Sequence, residues 1–120
     1  MPLWIAALML IMTEKHFQVL WTETAQQDLK QILQHFAAKK AQAKKAYSAI
    51  KEKAKSLGAM PFRGRIVPEL NSLGISAYRE LICPPWRIIY KIDSDRIWVL
   101  AVIDGRRNME DILLERFLDK

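Results

Sequence analysis

The sequence predicts an α+β domain: an N-terminal strand, a helical hairpin, a three-stranded antiparallel meander and a short C-terminal helix. Three observations carry this. Apolar residues recur at helical spacing between residues 25 and 57. Three apolar runs rich in β-branched and aromatic residues then follow between residues 77 and 103. Only Cys83-Pro84-Pro85 and Asp93-Ser94-Asp95 separate those runs, and connections so short force antiparallel neighbours.

With 120 residues the chain has the length of one domain, large enough to bury a core without disulfides or metal. That domain is expected over residues 12–120. The run from Leu3 to Met12 is apolar but spans ten residues, against the ~20 that a membrane-crossing helix needs. No positive leader precedes it and no small-x-small cleavage site follows. Residues 1–11 are therefore an apolar extension, either an extra strand or helix or translated upstream sequence. The polar start Met12-Thr13-Glu14-Lys15, leading straight into a strand pattern, favours a natural start at Met12.

Taken in order, residues 17–21 form the first strand, and Thr22 or Thr24 caps the first helix by accepting an orphaned backbone N–H. Its apolar stripe is Ala25, Leu29, Ile32 or Leu33, and Phe36. A second stripe runs through Ala43, Tyr47, Ile50, Ala54 and Leu57 to Gly58, a good C-terminal cap. Residues 35–40 between them hold no Gly or Pro, so one long helix is the alternative to a hairpin. Seven lysines (39, 40, 44, 45, 51, 53 and 55) read as a solvated face, with a phosphate-contacting ridge as the lesser reading. Residues 61–73 are turn-rich and basic. The meander strands are residues 77–82, 86–92 and 96–103; Gly105 ends the last, and residues 109–118 form an amphipathic helix through Ile112, Leu113, Arg116 and Phe117.

If both meander loops hold three residues, Ile82 lies opposite Trp86 and Ile92 opposite Arg96. Alternation then puts Tyr78, Glu80, Ile82, Trp86, Ile88, Tyr90, Ile92, Trp98, Leu100 and Val102 on the face under the hairpin, and Arg79, Leu81, Arg87, Ile89, Lys91, Ile97, Val99, Ala101 and Ile103 on the other. Arg106 and Arg107 follow the third strand, and Arg63 and Arg65 sit on the entering loop. An anion site across adjacent strands is the sharper expectation; arginines that snorkel into water are the plainer one.

Nineteen Lys+Arg against thirteen Asp+Glu give a net charge of +6, which favours polyanionic partners or serves solubility alone. A single cysteine, Cys83, suits a cytosolic protein; with His16 and His35 it makes too few ligands for zinc. No Ser/His/Asp arrangement, Gly-rich phosphate loop or metal-ligand spacing occurs, and no cofactor is expected. Metal-free RNA cleavage remains chemically open. Guanidinium groups of Arg79, Arg87, Arg106 and Arg107 would stabilise phosphate charge while Glu69 or Glu80 takes the 2′-hydroxyl proton. Arg63, Arg65 and Lys91 would bind the nucleic acid. Carboxylates simply paired with arginines are the commoner outcome.

Four segments, taken in order, resemble the RelE/ParE superfamily of small toxins from bacterial type II toxin–antitoxin modules. They are Gly64-Arg65-Ile66-Val67-Pro68-Glu69-Leu70, Tyr78-Arg79-Glu80-Leu81, Trp86-Arg87-Ile88-Ile89-Tyr90-Lys91-Ile92, and Val99 through Ile103-Asp104-Gly105-Arg106-Arg107. The resemblance spans about residues 17–117. It implies a cytoplasmic toxin neutralised by a cognate antitoxin, which wraps an amphipathic helix and an extended segment around it. RelE-like members cleave mRNA on the ribosome without metal; ParE-like members inhibit DNA gyrase. Arg87 and the Arg106-Arg107 pair match positions that serve phosphate chemistry in RelE-like nucleases. The family's paired lysines are replaced by Arg79 and Leu81, and a residue such as Leu113 stands where a substrate-orienting tyrosine is expected. The function so implied is a toxin acting by ribosome-dependent mRNA cleavage, a metal-independent endoribonuclease. A gyrase inhibitor and a non-toxic basic RNA-binding module are the alternatives.

Overall fold

The computed structural model describes residues 2–6, 16–36 and 38–118; the expected Met12 start and most of the 1–11 extension lie outside them. Residues 3–6 make one helical turn, with Leu3 and Trp4 exposed.

The chain runs β1 (Gln18–Trp21), α1 (Glu23–His35), α2 (Lys40–Lys55), a 3₁₀ turn (Ser56–Gly58), β2 (Arg65–Ile66) and α3 (Pro68–Asn71). It continues through β3 (Tyr78–Cys83), β4 (Trp86–Asp93), β5 (Arg96–Asp104) and α4 (Met109–Phe117). The hairpin, the antiparallel meander and the C-terminal helix are as the sequence predicts. Thr22 is the cap: its hydroxyl accepts the Ala25 N–H at 3.2 Å.

The meander sits inside a five-stranded sheet ordered β1-β5-β4-β3-β2. β1 adds parallel to β5, and the two-residue β2 in the basic loop pairs with β3. One face is closed by the α1–α2 hairpin, where Leu29, Ile50, Ala54 and Leu57 pack on Leu81, Ile88, Tyr90, Ile97 and Val99. The other face is closed by α3 and α4, through Val67, Leu70, Met109 and Leu113 on Ile89, Ala101 and Ile103. Both faces are apolar because both are covered, as in layered α/β architectures.

Two sequence expectations need correction. On α2 the buried row is Ala46, Ile50 and Ala54, an i, i+4, i+8 ridge; Tyr47 is exposed at the rim. The second correction governs the site. Cys83 pairs with Trp86 and Asp93 with Arg96, so each meander turn holds two residues rather than three. A one-residue slip turns a strand over. Tyr78, Glu80 and Ile82 therefore share the face of Arg87, while Arg79, Leu81 and Cys83 turn toward the hairpin. In β5 the same slip carries Ile97 and Val99 to the hairpin side. An irregularity opposite Ile89/Tyr90, where Ile89 faces Ala101 but Tyr90 faces Val99, then restores the expected sorting of Ala101, Val102 and Ile103.

Candidate functional site

The corrected register builds a buried ion network where an open arginine face was expected. Arg87, on the central strand β4, is 8% exposed. Its Nε donates to Glu80 Oε1 at 2.7 Å, and Nη1 and Nη2 donate to the two oxygens of Glu69 at 2.7 and 2.6 Å. Glu80 lies diagonally across from it on β3, two residues before its register partner Ile82, and its side chain has no exposed surface. Its other oxygen accepts from Arg65 Nε at 2.7 Å. Glu69 arrives from α3, whose start Pro68 fixes. The four groups sum to zero charge, which is how two carboxylates and a guanidinium tolerate burial.

The electrostatic consequences follow from these contacts. The Arg87 hydrogen bonds hold the Glu69 carboxyl below its ordinary range, against a smaller opposing effect of burial. The two carboxylates hold Arg87 firmly protonated. A carboxylate with a lowered pKa and both oxygens engaged is a weak proton acceptor.

Arg79 lies on the opposite face, near neither carboxylate by hydrogen bond. Its Nη1 donates to the Gly64 carbonyl at 2.8 Å, and its guanidinium lies 5.0 Å over the Phe62 ring. The loop it grips is also clamped by buried Tyr90, whose hydroxyl donates to Pro61 O at 2.8 Å and accepts the Gly64 N–H at 3.0 Å. Only glycine fits at 64, since a Cβ there would stand 2.4 Å from the Glu80 carbonyl oxygen. Arg63 donates to the Ser56 hydroxyl at 2.8 Å, and Lys91 is exposed beside Tyr78 and Phe117. Arg106 pairs with Asp104 in an exposed two-residue bridge, which lowers Asp104 to about 2. Arg107 is exposed and makes no ion pair among the described residues. Of the arginines expected to act together, only Arg106 and Arg107 share a cleft.

The sequence reading missed a second polar anchor. Asp28 of α1 is buried; its Oδ2 accepts the Val102 N–H at 3.0 Å, and Arg116 of α4 donates to both its oxygens at 2.8 and 2.7 Å. The available signal was position: Asp28 follows Ala25 by three residues and so falls on the buried stripe of α1.

A further open feature is the outer edge of β1. Gln18 and Thr22 donate their N–H groups toward β5 to Asp95 and Val99 carbonyls, so alternation turns the backbone of Val19 and Trp21 outward. Beside that edge Val19, Trp21 and Tyr47 line a hollow of about 390 Å³, with Lys51 4.5 Å over the Trp21 ring and Lys55 at the rim.

Against known proteins, residues 19–109 match the family model described as the ParE toxin of the type II toxin–antitoxin system parDE. The chain belongs to the ParE toxin family. The fold agrees with a solved structure titled the chromosomal ParDE TA system from P. aeruginosa. The TM-score is 0.63 at 22% identity, covering 75% of this chain and 97% of that one. None of the curated proteins matches it. The four sequence segments quoted above take their places on β2–α3, β3, β4 and β5, four adjacent strands of the five-stranded sheet. No helix among the described residues is long and apolar enough to cross a membrane.

Proposed function

We propose that this ParE-family chain is a toxin that inhibits DNA gyrase and does not cut RNA. The observation that carries the reading is the state of Arg87. Its Nε, Nη1 and Nη2 all donate to carboxylates, and presenting it to a phosphate would break a buried network and leave the buried Glu80 with the exposed Arg65 alone. Neither carboxylate beside it is free to serve as the base for cleavage: Glu69 and Glu80 each have both oxygens engaged by arginine donors, and the lowered pKa of Glu69 makes it a weak proton acceptor. Arg79 on the opposite face cannot complete a phosphate clamp with Arg87. RelE-type mRNA cleavage, the sequence expectation built on Arg79, Arg87, Arg106, Arg107 and Glu69, would need that network to open first.

The partner of such a toxin is its antitoxin, and the open β1 edge suits it. An extended acidic segment could hydrogen-bond to Val19, seat an apolar side chain against Trp21 and Tyr47, and meet Lys51 and Lys55. The test of function is gyrase-driven supercoiling of relaxed plasmid with the purified chain added, beside primer extension on mRNA in a translating extract. Loss of supercoiled product with intact mRNA is the expected pair of results; codon-positioned cuts with unaffected gyrase would overturn the proposal.

A further inference from the structure

Helix α2 carries six lysines and one glutamate in sixteen residues. Four of the lysines, Lys40, Lys44, Lys51 and Lys55, fall within about 60° around the helix axis and extend ~22 Å along it. Three of them are exposed and Lys51 is half-buried. No acidic side chain shares the stripe, since Glu52 projects about 100° away from Lys51. None of the four makes an ion pair among the described residues.

The ridge works against its own helix. Lys40 stands in the first turn, behind an N-cap Lys39 whose side chain makes no capping bond, where the helix dipole favours anions. Lys40 with Lys44, and Lys51 with Lys55, are like charges four residues apart, a destabilising spacing. A face serving solubility alone would interleave glutamates at that spacing and gain from it. Lys51 is also braced, its ammonium 4.5 Å from the Trp21 ring centroid and 6.0 Å from that of Tyr47.

From this ridge we infer that the chain binds duplex DNA along α2, through the phosphate backbones. The lysines come in two pairs. Between Lys44 and Lys51 lie about 10 Å of helix whose outward residues, Tyr47 and Ser48, are uncharged. That gap approaches the ~12 Å width of a major groove, so each pair meets one of the two flanking backbones. Contacts to phosphates alone carry no base information, and binding is independent of sequence. A single strand would call for stacking platforms, and the ridge offers only Tyr47. A lipid surface would call for an apolar margin to insert, but the apolar row Ala46, Ile50 and Ala54 is buried. The inference goes beyond the gyrase reading and does not rest on it, since no ridge residue belongs to the Arg87 network. Lys51 and Lys55 are also the residues an acidic antitoxin segment on the β1 edge would meet, which makes the two occupants competitors.

The experiment is fluorescence anisotropy with the full chain and a short fluorescein-labelled duplex of mixed sequence, over a series of salt concentrations. Log K should fall against log salt with a slope of about −3.6, from ~0.9 per phosphate for four contacts. Lys40→Gln with Lys44→Gln should bring the slope to about −1.8. That variant should melt no lower than wild type, because glutamine matches lysine as a helix former and two unfavourable charges are gone. Lys45→Gln with Lys53→Gln takes the same charge from other sides of the helix and should leave the slope unchanged. Three results would overturn the proposal. They are no duplex binding at the lowest salt, an equal loss of slope from the Lys45 and Lys53 pair, and tighter binding to a single strand or to phosphatidylserine vesicles than to the duplex. Supercoiling assays on the same proteins keep the two claims apart, because gyrase inhibition by a chain that binds no duplex removes this inference alone.

Discussion

Replacing Arg87 by Met tests the ion network directly. The substitution keeps much of the side-chain bulk but takes three charge-assisted donors from two carboxylates. Removing one partner of a buried pair costs about 3–5 kcal/mol, because the remaining charge is left in a poorly solvated site. Two features place the expected cost at the lower end, about 3 kcal/mol. Glu80 keeps its 2.7 Å contact with Arg65, and Glu69, 28% exposed at its side chain, can turn toward water. In urea, with an m-value of about 2 kcal/mol per molar, the midpoint should fall by ~1.5 M at unchanged m. Adding Glu80→Leu to Arg87→Met should recover part of the loss, since no buried carboxylate then lacks its guanidinium. A midpoint shift below about 0.5 M for Arg87→Met alone, or a double variant less stable than the single, would refute the reasoning.

Other consequences follow from the same contacts. Asp28→Ala should cost about 3 kcal/mol, since it strands Arg116 and leaves the Val102 N–H unpaired, and amide exchange at Val102 should accelerate. Gly64→Ala should lower the melting temperature, at a cost of about 1–3 kcal/mol, because its Cβ would press on the Glu80 carbonyl and the Tyr90 hydroxyl. Glu69 is lowered from its ordinary 4.5, so its contribution to stability is present above that pH and is lost as pH falls through the lower folded value. Acid titrations of wild type and Glu69→Gln should therefore stay apart above pH 4.5 and converge as the pH falls through the lower folded value. Buried Cys83, its thiol pushed up by burial, should react with a thiol reagent only as fast as the chain opens.

Much of the fold is legible in the sequence because its signals are local. The Thr22 cap, the helical stripes and the two Pro- and Asp-bearing turns each announce themselves within a few residues. The site is less legible because it depends on register. Whether Cys83 and Asp93 belong to their strands or to the turns is not encoded by composition, yet that single residue decides which side Arg79 faces. The irregularity opposite Ile89/Tyr90 then undoes the slip for half of β5, and no alternation rule reveals it. β1 reaches β5 across more than seventy residues, and β2 is two residues long, so neither pairing leaves a sequence pattern. The possibility that Glu69 and Glu80 pair with arginines was visible from the charges; that both close on Arg87 follows only from the register.

The central claim is that a folded toxin of this family acts here with Arg87 committed to structure. The most direct measurement is gyrase supercoiling of relaxed plasmid with the wild-type chain and with Arg87→Met, at a temperature where both are folded. The account predicts that supercoiled product disappears with either protein. Supercoiling untouched by wild type, or inhibition abolished by Arg87→Met in a demonstrably folded chain, would contradict it.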